Sequence, residues 1–562
     1  MIEYTENDFN IEELGSFYSK HKTVFKVFAP ESRGMILVLN DKKYPMNKDG
    51  FSYEVVVEGD HHLGKYYYIN DKGVSFRDPF SYFSDDKYSY VLDTTKFIKK
   101  VIIPKKENNI IIYETSVRDF SCDDNFKGKQ KRKLLGLIEP GLVLNDNTIG
   151  LDYIKELGIT HLQLMPVLDF SLAGKDYNWG YNPIAFNYLY NGYIDDADNP
   201  YANANELREV VNILHDNNIR VTLDVVFNHA YKIHEFDLHK MIPGHVFRLK
   251  DNGSYAKGTL CGNEIKTEDP FMRAYFVEMV KRYIRLYDID GIRIDQMGAG
   301  DYETVNLIYF EAIKLKRDFI VYGEGWNMGD ALPEDMRATI INGDKINRIG
   351  MFNDYFRNTI TNYICGDKRN REDVKNVLCG THDSLNYSQS LNYVECHDNL
   401  TFYDRLVKYN ICKNNKDVIN KCKLALGIVM VSRGIPFIHS GQEFLRTKSL
   451  CENSYNRSEK INKLDWNRRV ENKEICDFLK ELIKIRKGTS AFVKRNPNIS
   501  LSNYKECIVY AIDDLKIFIN ASRKNYSYND GNRYEVILDS YNKNCYFNDT
   551  IFIKPNSIVI VK

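Results

Sequence analysis

The stretch Val221-Thr-Leu-Asp-Val-Val-Phe-Asn-His229 is an apolar, strand-like run in which acidic and polar residues gather toward the C-terminal end. Three later stretches repeat this pattern: Gly291-Ile-Arg-Ile-Asp295, Tyr322-Gly-Glu-Gly-Trp326 and Tyr393-Val-Glu-Cys-His-Asp398. A (β/α)8 barrel, or TIM barrel, carries its chemistry at the C-terminal ends of its strands. The four stretches therefore predict such a barrel with a site rich in carboxylates.

Strands and amphipathic helices alternate along the middle of the chain. Four segments have the expected spacing: strands at residues 110–113 and 161–165, and helices at residues 205–217 and 271–287. Alternation of this kind implies parallel βα units. We assign residues 104–487 to the barrel. Residues 169–204, which are rich in Gly, Asn, Asp and Tyr, are predicted to form a long functional loop.

Short β-type runs separated by turns flank the barrel on both sides. They are residues 23–28, 35–39, 51–57 and 65–69 before it, and residues 507–512, 515–519, 534–538 and 557–561 after it. Several short strands at this spacing are typical of β-sandwiches. The sequence therefore predicts a multidomain α/β protein, with an N-terminal β-sandwich over residues 1–103 and a C-terminal all-β sandwich domain over residues 488–562.

The bulk composition argues against several classes of partner. The 562 residues include 77 basic and 77 acidic side chains, so neither nucleic acid nor an anionic membrane is expected as a partner. The 11 cysteines have no zinc-like spacing, which fits free thiols in a reducing cytoplasm. The start of the chain lacks a signal-peptide pattern, and no apolar run approaches the roughly 20 residues of a membrane span. We therefore expect a cytoplasmic protein.

Two strand-end carboxylates, Asp295 and Glu324, suit hydrolysis of a glycosidic bond with retention of configuration. That reaction needs a nucleophilic carboxylate and a carboxylic acid about 5–5.5 Å apart. Consecutive barrel strands are neighbours, so the two side chains can converge. Arg293 points the same way as Asp295 on its strand and keeps that carboxylate ionised. Trp326 and negative neighbours would raise the pKa of Glu324, which has to start protonated.

The same residues could instead have purely structural roles. A single Asp or Glu at a strand end often caps the next helix, and an Arg–Asp pair is often only a packed ion pair. A His-Asp-Asn run, as at residues 397–399, can be an ordinary turn. Four such stretches in a consistent order favour the catalytic interpretation.

The four stretches resemble the four signature regions of the α-amylase superfamily, glycoside hydrolase family 13. The resemblance implies that Asp295 is the nucleophile, Glu324 the acid/base and Asp398 a third carboxylate that holds sugar hydroxyls. It also implies contacts with the substrate, or support of the site, for four more residues: Asp224, His229, Arg293 and His397.

A further motif, Tyr177-Asn-Trp-Gly-Tyr-Asn-Pro183, resembles the YNWGYDP signature of type I pullulanases, with Asn in place of the usual Asp at its sixth position. Tyr177, Trp179 and Tyr181 offer flat faces for stacking on glucose rings. The alternative is that they pack the loop onto the barrel. The resemblance implies that Tyr181 is the stacking platform of the −1 subsite and that Trp326 lines the +1 side.

Other segments match the same group. Residues 112–121 resemble its first barrel strand, residues 434–447 resemble the region of its eighth, and residues 25–30 resemble the sandwich related to family 48 carbohydrate-binding modules. One departure is Gln296, which stands where Leu is commoner. It adjoins the nucleophile, where it bears on hydrogen bonding and on the shape of a subsite.

The resemblance implies a pullulanase-type debranching enzyme that hydrolyses α-1,6 linkages in pullulan, limit dextrins and glycogen or amylopectin fragments. An isoamylase-like enzyme, or one that also cuts α-1,4 linkages, stays open as an alternative. A non-catalytic glycan-binding protein is a third interpretation, but it would be free to lose Asp295 or Glu324, and both are present.

The expected partners are α-glucans, and we expect a monomer that needs no cofactor for its chemistry. A metal site is undecided by the sequence. The acidic loop Asp195-Asp-Ala-Asp198 is a candidate for structural calcium, and an ordinary solvated turn is the alternative.

Overall fold

Two antiparallel sheets form the N-terminal part of the computed structural model, which describes residues 2–367, 371–380, 385–541 and 546–562. Their strands are β1 (Gly15–Tyr18), β2 (Lys22–Phe28), β3 (Met35–Leu39), β4 (Lys42–Pro45), β5 (Asn47–Asp49), β6 (Ser52–Glu58), β7 (Lys65–Asn70), β8 (Ser75–Phe76) and β9 (Ser89–Tyr90). One sheet has the order β1-β2-β6-β5, and the other has the order β4-β3-β7-β8, with β9 paired to β7. Phe25 of one sheet and Leu37 of the other are fully buried in a shared hydrophobic core. The two sheets therefore form a sandwich.

A closed barrel of eight parallel strands follows. It begins with β10 (Ile112–Thr115), after which a hairpin of β11 (Val143–Leu144) and β12 (Asn147–Thr148) lies outside it. The other barrel strands are β13 (His161–Leu164), β14 (Arg220–Val225), β15 (Gly291–Ile294), β16 (Ile320–Gly323), β17 (Gly350–Phe352), β18 (Ser390–Asn392) and β19 (Ile435–His439). The strands pair in chain order, and Phe437 lies opposite Ile112 where the barrel closes. The predicted fold class is confirmed.

The described residues form α-helices on the connections around the barrel. They are α1 (Val117–Ser121), α2 (Gly150–Leu157), α3 (Ala202–Asp216), α4 (Asp237–Met241), α5 (Pro270–Tyr287), α6 (Tyr302–Leu315), α7 (Asp354–Cys365), α8 (Arg371–Leu378), α9 (Phe402–Lys408), α10 (Asn415–Val431), α11 (Glu459–Asn462), α12 (Trp466–Glu471) and α13 (Lys473–Gly488). Residues 324–349, all of them described, join β16 to β17 without an α-helix. This irregular connection carries Trp326. Each helix within the described ranges is too short or too polar to span a lipid bilayer.

Local sequence signals explain where α5 begins and ends. The Asp269 carboxylate accepts hydrogen bonds from two backbone N–H groups of the first turn, at 3.0 and 3.4 Å, and Pro270 occupies that turn. Asp288 ends the helix in a left-handed conformation with φ of 60°. The apolar spacing predicts this helix over residues 271–287, so the prediction starts one residue late.

The chain beyond α13 forms β-structure. Its strands are β20 (Ile499–Tyr504), β21 (Cys507–Ile512), β22 (Leu515–Asn520), β23 (Tyr526–Tyr528), β24 (Tyr534–Asp539), β25 (Tyr546–Asn548), β26 (Ile551–Ile553) and β27 (Ser557–Val561). Six of them form a sheet in the order β20-β21-β22-β27-β24-β25, and β23 pairs with β26. This sheet packs on α10 so closely that a Cβ at Gly427 would lie 2.8 Å from Ile558 Cγ2. The domain boundaries at residues 103 and 487 stay predictions, the first between β9 and β10 and the second in the last turn of α13.

Candidate active site

Arg293 of β15 binds three carboxylates at the C-terminal end of the barrel, and its side chain is only 1% exposed. Nη1 donates to both oxygens of Asp224 at 2.9 and 3.0 Å and to Asp295 Oδ1 at 2.8 Å, while Nη2 lies 2.6 Å from Glu324 Oε1. Asp224 lies beside Arg293 in the strand register. Asp295 follows two residues later and so points the same way. One guanidinium therefore gathers acidic residues that three separate strands deliver.

Asp295 receives a second donor from the end of the neighbouring strand. Asn228 Nδ2 donates to Asp295 Oδ2 at 2.6 Å and to the Asp295 backbone carbonyl at 2.9 Å. Arg293 holds the other carboxylate oxygen. Hydrogen bonds that involve an ionised partner are short and directional. The carboxylate of Asp295 is therefore held in one orientation, as a nucleophile requires.

Glu324 has a raised pKa in the same cluster. Its Oε1 lies next to Arg293, and its Oε2 accepts from the backbone N–H of Gln296 at 2.9 Å. Burial is the largest cause that raises the pKa of Glu324 to about 7, and the negative charges of Asp295 and Asp398 add to it against the opposing charge of Arg293. A carboxyl group that titrates near neutral pH can both donate and accept a proton. This environment suits an acid/base.

His397 joins the cluster to Asp398 and to a buried carboxylate of β10, Glu114. Its backbone N–H donates to Glu114 Oε2 at 2.9 Å, and its ring Nδ1 lies 2.7 Å from Glu114 Oε1. Its Nε2 lies 3.5 Å from Asp398 Oδ2. Burial alone would lower the pKa of His397, but the charges of Glu114 and Asp398 raise it to about 9. The imidazole is therefore charged at neutral pH, with each ring N–H near a carboxylate.

Glu114 is absent from the site predicted from the sequence. The strand predicted at residues 110–113 stops just before Glu114, and its bounds are wrong by two residues. The apolar run ends at Tyr113, whereas the strand pairs with β13 as far as Thr115. Glu114 is fully buried because His397 and the Gln163 amide, at 3.1 Å, satisfy its carboxylate. An acidic residue directly after an apolar run, the position that Glu114 holds after Tyr113, is the signal that could have revealed it.

Glu114→Gln is expected to lower the pKa of His397 below its present value of about 9, because the neutral amide keeps the shape but removes the charge that opposes the burial of the imidazole. The loss of one charge-assisted hydrogen bond corresponds to about a ten- to hundredfold fall in kcat/KM. NMR titration of the His397 ring, identified by comparison with His397→Asn, measures the first effect, and hydrolysis kinetics measure the second.

Glu443→Gln is the matched control for removal of a buried carboxylate. Glu443 accepts from the hydroxyls of Tyr113 and Tyr153, both at 2.7 Å, and within the described part of the chain no hydrogen bond or ion pair joins it to His397. We expect the pKa of His397 to be unchanged in this variant. An unchanged His397 titration in Glu114→Gln would contradict the assignment of Glu114 as its charge partner.

Tyr181 lies over the charged centre of the site. Its ring stacks on His397 with centroids 5.1 Å apart and an interplanar angle of 19°. Its hydroxyl donates to Asp224 Oδ2 at 2.7 Å, and the Arg293 guanidinium lies 5.7 Å from the ring centroid. Tyr181 keeps some exposed surface. These contacts fix the plane of the ring at the position where the resemblance expects a stacking platform.

Tyr177 and Trp179 are more deeply buried than Tyr181, at 2% and 5% exposure. The hydroxyl of Tyr177 donates to Asp119 Oδ1 at 2.7 Å, and the indole N–H of Trp179 donates to Asn462 Oδ1 at 3.2 Å. Both contacts are with the protein interior. They match the alternative in which these two rings pack the loop onto the barrel, so of the three rings Tyr181 is the one with surface left for a sugar.

His229 and Trp326 lie on the two connections that flank the carboxylates. The Nδ1–H of His229 donates to Asn228, and burial lowers the pKa of the imidazole, so this ring is neutral. Trp326 is partly exposed on the helix-free connection. A Cβ at Gly298 would lie 1.9 Å from the Trp326 carbonyl oxygen. Glycine is therefore required where the turn after Asp295 meets this connection.

Hydrogen bonds to the first turns of α3 hold the backbone of the acidic loop at residues 195–198. The backbone N–H groups of Asp195 and Asp196 donate to the Glu206 carboxylate at 2.9–3.0 Å. Among the described residues, no group of three or more His, Cys, Asp or Glu side chains is placed to hold a metal ion. A structural calcium site therefore stays undecided.

A cleft of about 730 Å³ lies between the N-terminal sandwich and the barrel, lined in part by Tyr67, Tyr88 and Tyr231. The residues predicted to act on substrate do not line it. The converging carboxylates, rather than the volume of a cavity, therefore locate the candidate active site.

The chain is similar to known proteins in sequence and in fold. The family model of the alpha amylase catalytic domain matches residues 146–242. A pullulanase of Bacillus subtilis (strain 168) is 34% identical over an alignment of 543 residues, which covers 88% of this chain and 74% of that protein. The crystal structure of pullulanase from Anoxybacillus sp. LM18-11 complexed with maltotetraose has a TM-score of 0.93 and 31% identity, and the match covers 99% of this chain and 88% of that one.

Type I pullulanase from Bacillus subtilis str. 168, complexed with maltose, is also similar in structure. Its TM-score is 0.92 and its identity is 31%, and the match covers 99% of this chain and 86% of that one. The sequence identity to the B. subtilis protein and the similarity in fold over nearly the whole chain together determine the family. This chain belongs to the pullulanase family, among the glycoside hydrolases related to alpha amylase.

Proposed function

We propose that this enzyme hydrolyses α-1,6-glucosidic linkages in pullulan, limit dextrins and fragments of glycogen or amylopectin, with retention of the anomeric configuration. The observation that carries the proposal is the convergence of Asp295 and Glu324 on one guanidinium in a chain of the pullulanase family. The relatives whose structures hold maltotetraose and maltose support α-glucans as the substrate class.

The reaction follows from the positions of the two carboxyl groups. Asp295 attacks the anomeric carbon while protonated Glu324 donates its proton to the departing C6 oxygen, which forms a covalent glycosyl-enzyme. Glu324, now ionised, takes a proton from water, and that water releases the sugar from Asp295. Arg293 stays charged throughout and compensates the change in charge on both groups. The side chain of Asp398, 48% exposed next to charged His397, is free to bind sugar hydroxyls.

The test of this function compares pullulan with linear amylose. Conversion of pullulan to maltotriose, with amylose left intact, is the expected result for strict α-1,6 hydrolysis. Release of reducing ends from amylose would instead support an enzyme that also cuts α-1,4 linkages. A purified enzyme that leaves both polymers unchanged would refute the proposal.

The pH dependence of pullulan hydrolysis is expected to report Glu324. The first step needs the protonated acid, so kcat/KM should fall as the pH rises through about 7, the pKa of Glu324. Asp398→Asn removes a negative charge that raises this pKa, so the alkaline limb should move to lower pH. Pullulan kinetics between pH 4 and pH 9 measure both effects.

The control substrate for this prediction is α-maltotriosyl fluoride. Fluoride departs without a proton from Glu324, so its release should lack the alkaline limb seen with pullulan. An identical alkaline limb for both substrates would assign the titration to another group. An alkaline limb for pullulan that stays in place in Asp398→Asn would contradict the coupling of Asp398 to Glu324.

We also propose that the enzyme is a cytoplasmic monomer and that its N-terminal sandwich is related to family 48 carbohydrate-binding modules. The ten cysteines within the described residues are free thiols, which supports a reducing compartment. The two-sheet arrangement of β1 to β9 supports the proposed kinship of the sandwich. Sedimentation and fractionation of cells that express the full chain test the first two proposals.

A further inference from the structure

A polar pair beside the nucleophile, Gln296 and Cys261, takes no part in the steps described above. Gln296 Nε2 lies 3.6 Å from Cys261 Sγ. Gln296 is partly exposed and Cys261 is exposed, so the pair lies at the surface of the site. Although Cys261 keeps exposed surface, partial burial of its thiol and then the charges of Asp295 and Glu324 raise its pKa to about 11. The thiol therefore contacts Gln296 and lies within electrostatic reach of both catalytic carboxylates.

The pair lies on the side of the leaving group. The backbone N–H of Gln296 donates to Glu324 Oε2 at 2.9 Å, whereas Glu324 Oε1 lies next to Arg293. Glu324 is the group that protonates the departing oxygen. A residue that contacts Oε2, away from Arg293, is therefore a neighbour of the glucose that leaves.

The loop that carries Cys261 has the features of a contact surface. Leu260 is 87% exposed and has a left-handed backbone with φ of 60°, which a branched apolar residue rarely adopts. Glu264 Oε1 accepts from the N–H groups of Gly258 at 2.6 Å and of Asp330 at 3.1 Å. This carboxylate ties the loop to the helix-free connection that carries Trp326. The loop is therefore held in place next to the acid/base.

The conformation and the contacts of Gln296 are unfavourable for the stability of the fold. Its φ is 42°, and its Oε1 is buried with no hydrogen-bond partner among the described residues. A buried amide oxygen without a partner is destabilising, and the Leu that the resemblance expects at this position would leave no such oxygen. A residue that breaks local rules beside a catalytic group is best explained by a function of its exposed end. That end is the amide nitrogen.

The leaving glucose of an α-1,6 linkage requires a contact that the amide nitrogen of Gln296 can provide. The leaving glucose is joined through its exocyclic C6 and so has one more rotatable bond than the leaving glucose of an α-1,4 linkage. Holding such a flexible group in a reactive orientation requires a contact on the ring beyond that bond. A hydrogen-bond donor next to Glu324 is well placed to provide it.

We propose that Gln296 determines specificity at the first leaving-group subsite, where its Nε2 donates a hydrogen bond to a hydroxyl oxygen of the departing glucose while Cys261 and Leu260 form the wall beside that ring. This inference rests on the proposed α-1,6 hydrolysis. It assigns to this chain a polar contact that a Leu at the same position cannot make.

The experiment compares Gln296→Leu with wild type on pullulan and on α-maltotriosyl fluoride, which has no leaving glucose. We expect kcat/KM for pullulan to fall about three- to tenfold, the effect of one neutral hydrogen bond, and kcat/KM for the fluoride to stay the same. Equal losses on both substrates would show that Gln296 acts on the catalytic carboxylates instead. No loss on pullulan would also overturn the inference.

Two further results keep the outcome clear. Gln296→Leu is expected to unfold at the same or a higher temperature than wild type, because it removes the unpaired oxygen, so a loss of activity cannot come from unfolding. Cys261→Ala, which removes the thiol next to the amide, should show a smaller loss of kcat/KM on pullulan and none on the fluoride.

A wild type that cleaves the fluoride but not pullulan would refute the proposed function, and with it this inference. The ratio of the two losses in Gln296→Leu tests the inference alone.

Discussion

Asp295→Asn is expected to lower kcat for pullulan by at least about four orders of magnitude, on the scale of losing a covalent nucleophile in other hydrolases. The amide cannot form the glycosyl-enzyme, because its neutral oxygen is a weak nucleophile. It still accepts a hydrogen bond from Arg293 and keeps the volume of the Asp295 side chain, which is only 10% exposed. The fold should therefore survive, and release of reducing ends measures the effect.

A rescue experiment separates a nucleophile from a merely structural carboxylate. Asp295→Ala leaves space for azide, which is expected to attack α-maltotriosyl fluoride from the face that Asp295 used and to give the β-azide. The product configuration, read by NMR, identifies the missing group. Hydrolysis at the wild-type rate by Asp295→Asn would refute the assignment.

Asp301→Asn is the matched control for this prediction. Asp301 is also buried and also follows β15, but it caps α6 by accepting from the Thr304 N–H at 2.8 Å. Asn is an equally good capping residue. We expect hydrolysis by this variant to match wild type, so that loss of a buried Asp near the barrel is not by itself the cause of inactivity.

The barrel and its carboxylates could be predicted because parallel strands are buried on both faces. Such strands read as largely apolar runs, and polar residues collect toward the C-terminal ends of those runs. Asp295 and Glu324 follow consecutive strands, so their convergence required no knowledge of distant contacts. The β-sheets that flank the barrel could be predicted for a similar reason, since turns separate their short strands at regular spacing.

The parts that the sequence did not reveal depend on contacts between distant residues. Glu114 is 283 positions from His397, and nothing in either local pattern links the two. Burial of Tyr177 depends on its contact with Asp119, 58 positions away, so local aromaticity could not distinguish packing from sugar stacking. The detailed contacts of Gln296 and Cys261 required the loop between β14 and α5 to be placed in space.

Arg293→Leu is expected to destabilise the protein by about 3–5 kcal/mol, the range for breaking a buried ion pair, and to abolish hydrolysis. The variant leaves Asp224, Asp295 and Glu324 buried without the cation that all three contact. Urea unfolding measures the first effect and pullulan hydrolysis the second. Arg293→Lys keeps the charge but lacks the fork that reaches three carboxylates, so we expect intermediate stability and little activity.

The destabilisation by Arg293→Leu should depend on pH in a direction that the pKa values fix. Burial already raises the pKa values of Asp224 to about 6 and of Glu324 to about 7, and the charge of Arg293 opposes both shifts. Without Arg293 these values rise further in the folded protein, so folding binds protons and the variant gains stability as the pH falls from 7 toward the unfolded values near 4. The loss relative to wild type should therefore be smaller at pH 5 than at pH 7.5. Asp224→Asn added to Arg293→Leu should restore part of the lost free energy of unfolding, because it removes one unpaired buried charge. Asp224→Asn alone should instead destabilise the protein, because Arg293 then has one partner fewer. Further destabilisation of the double variant, or equal losses at the two pH values, would mean that Arg293 stabilises the barrel through packing rather than through the three charges.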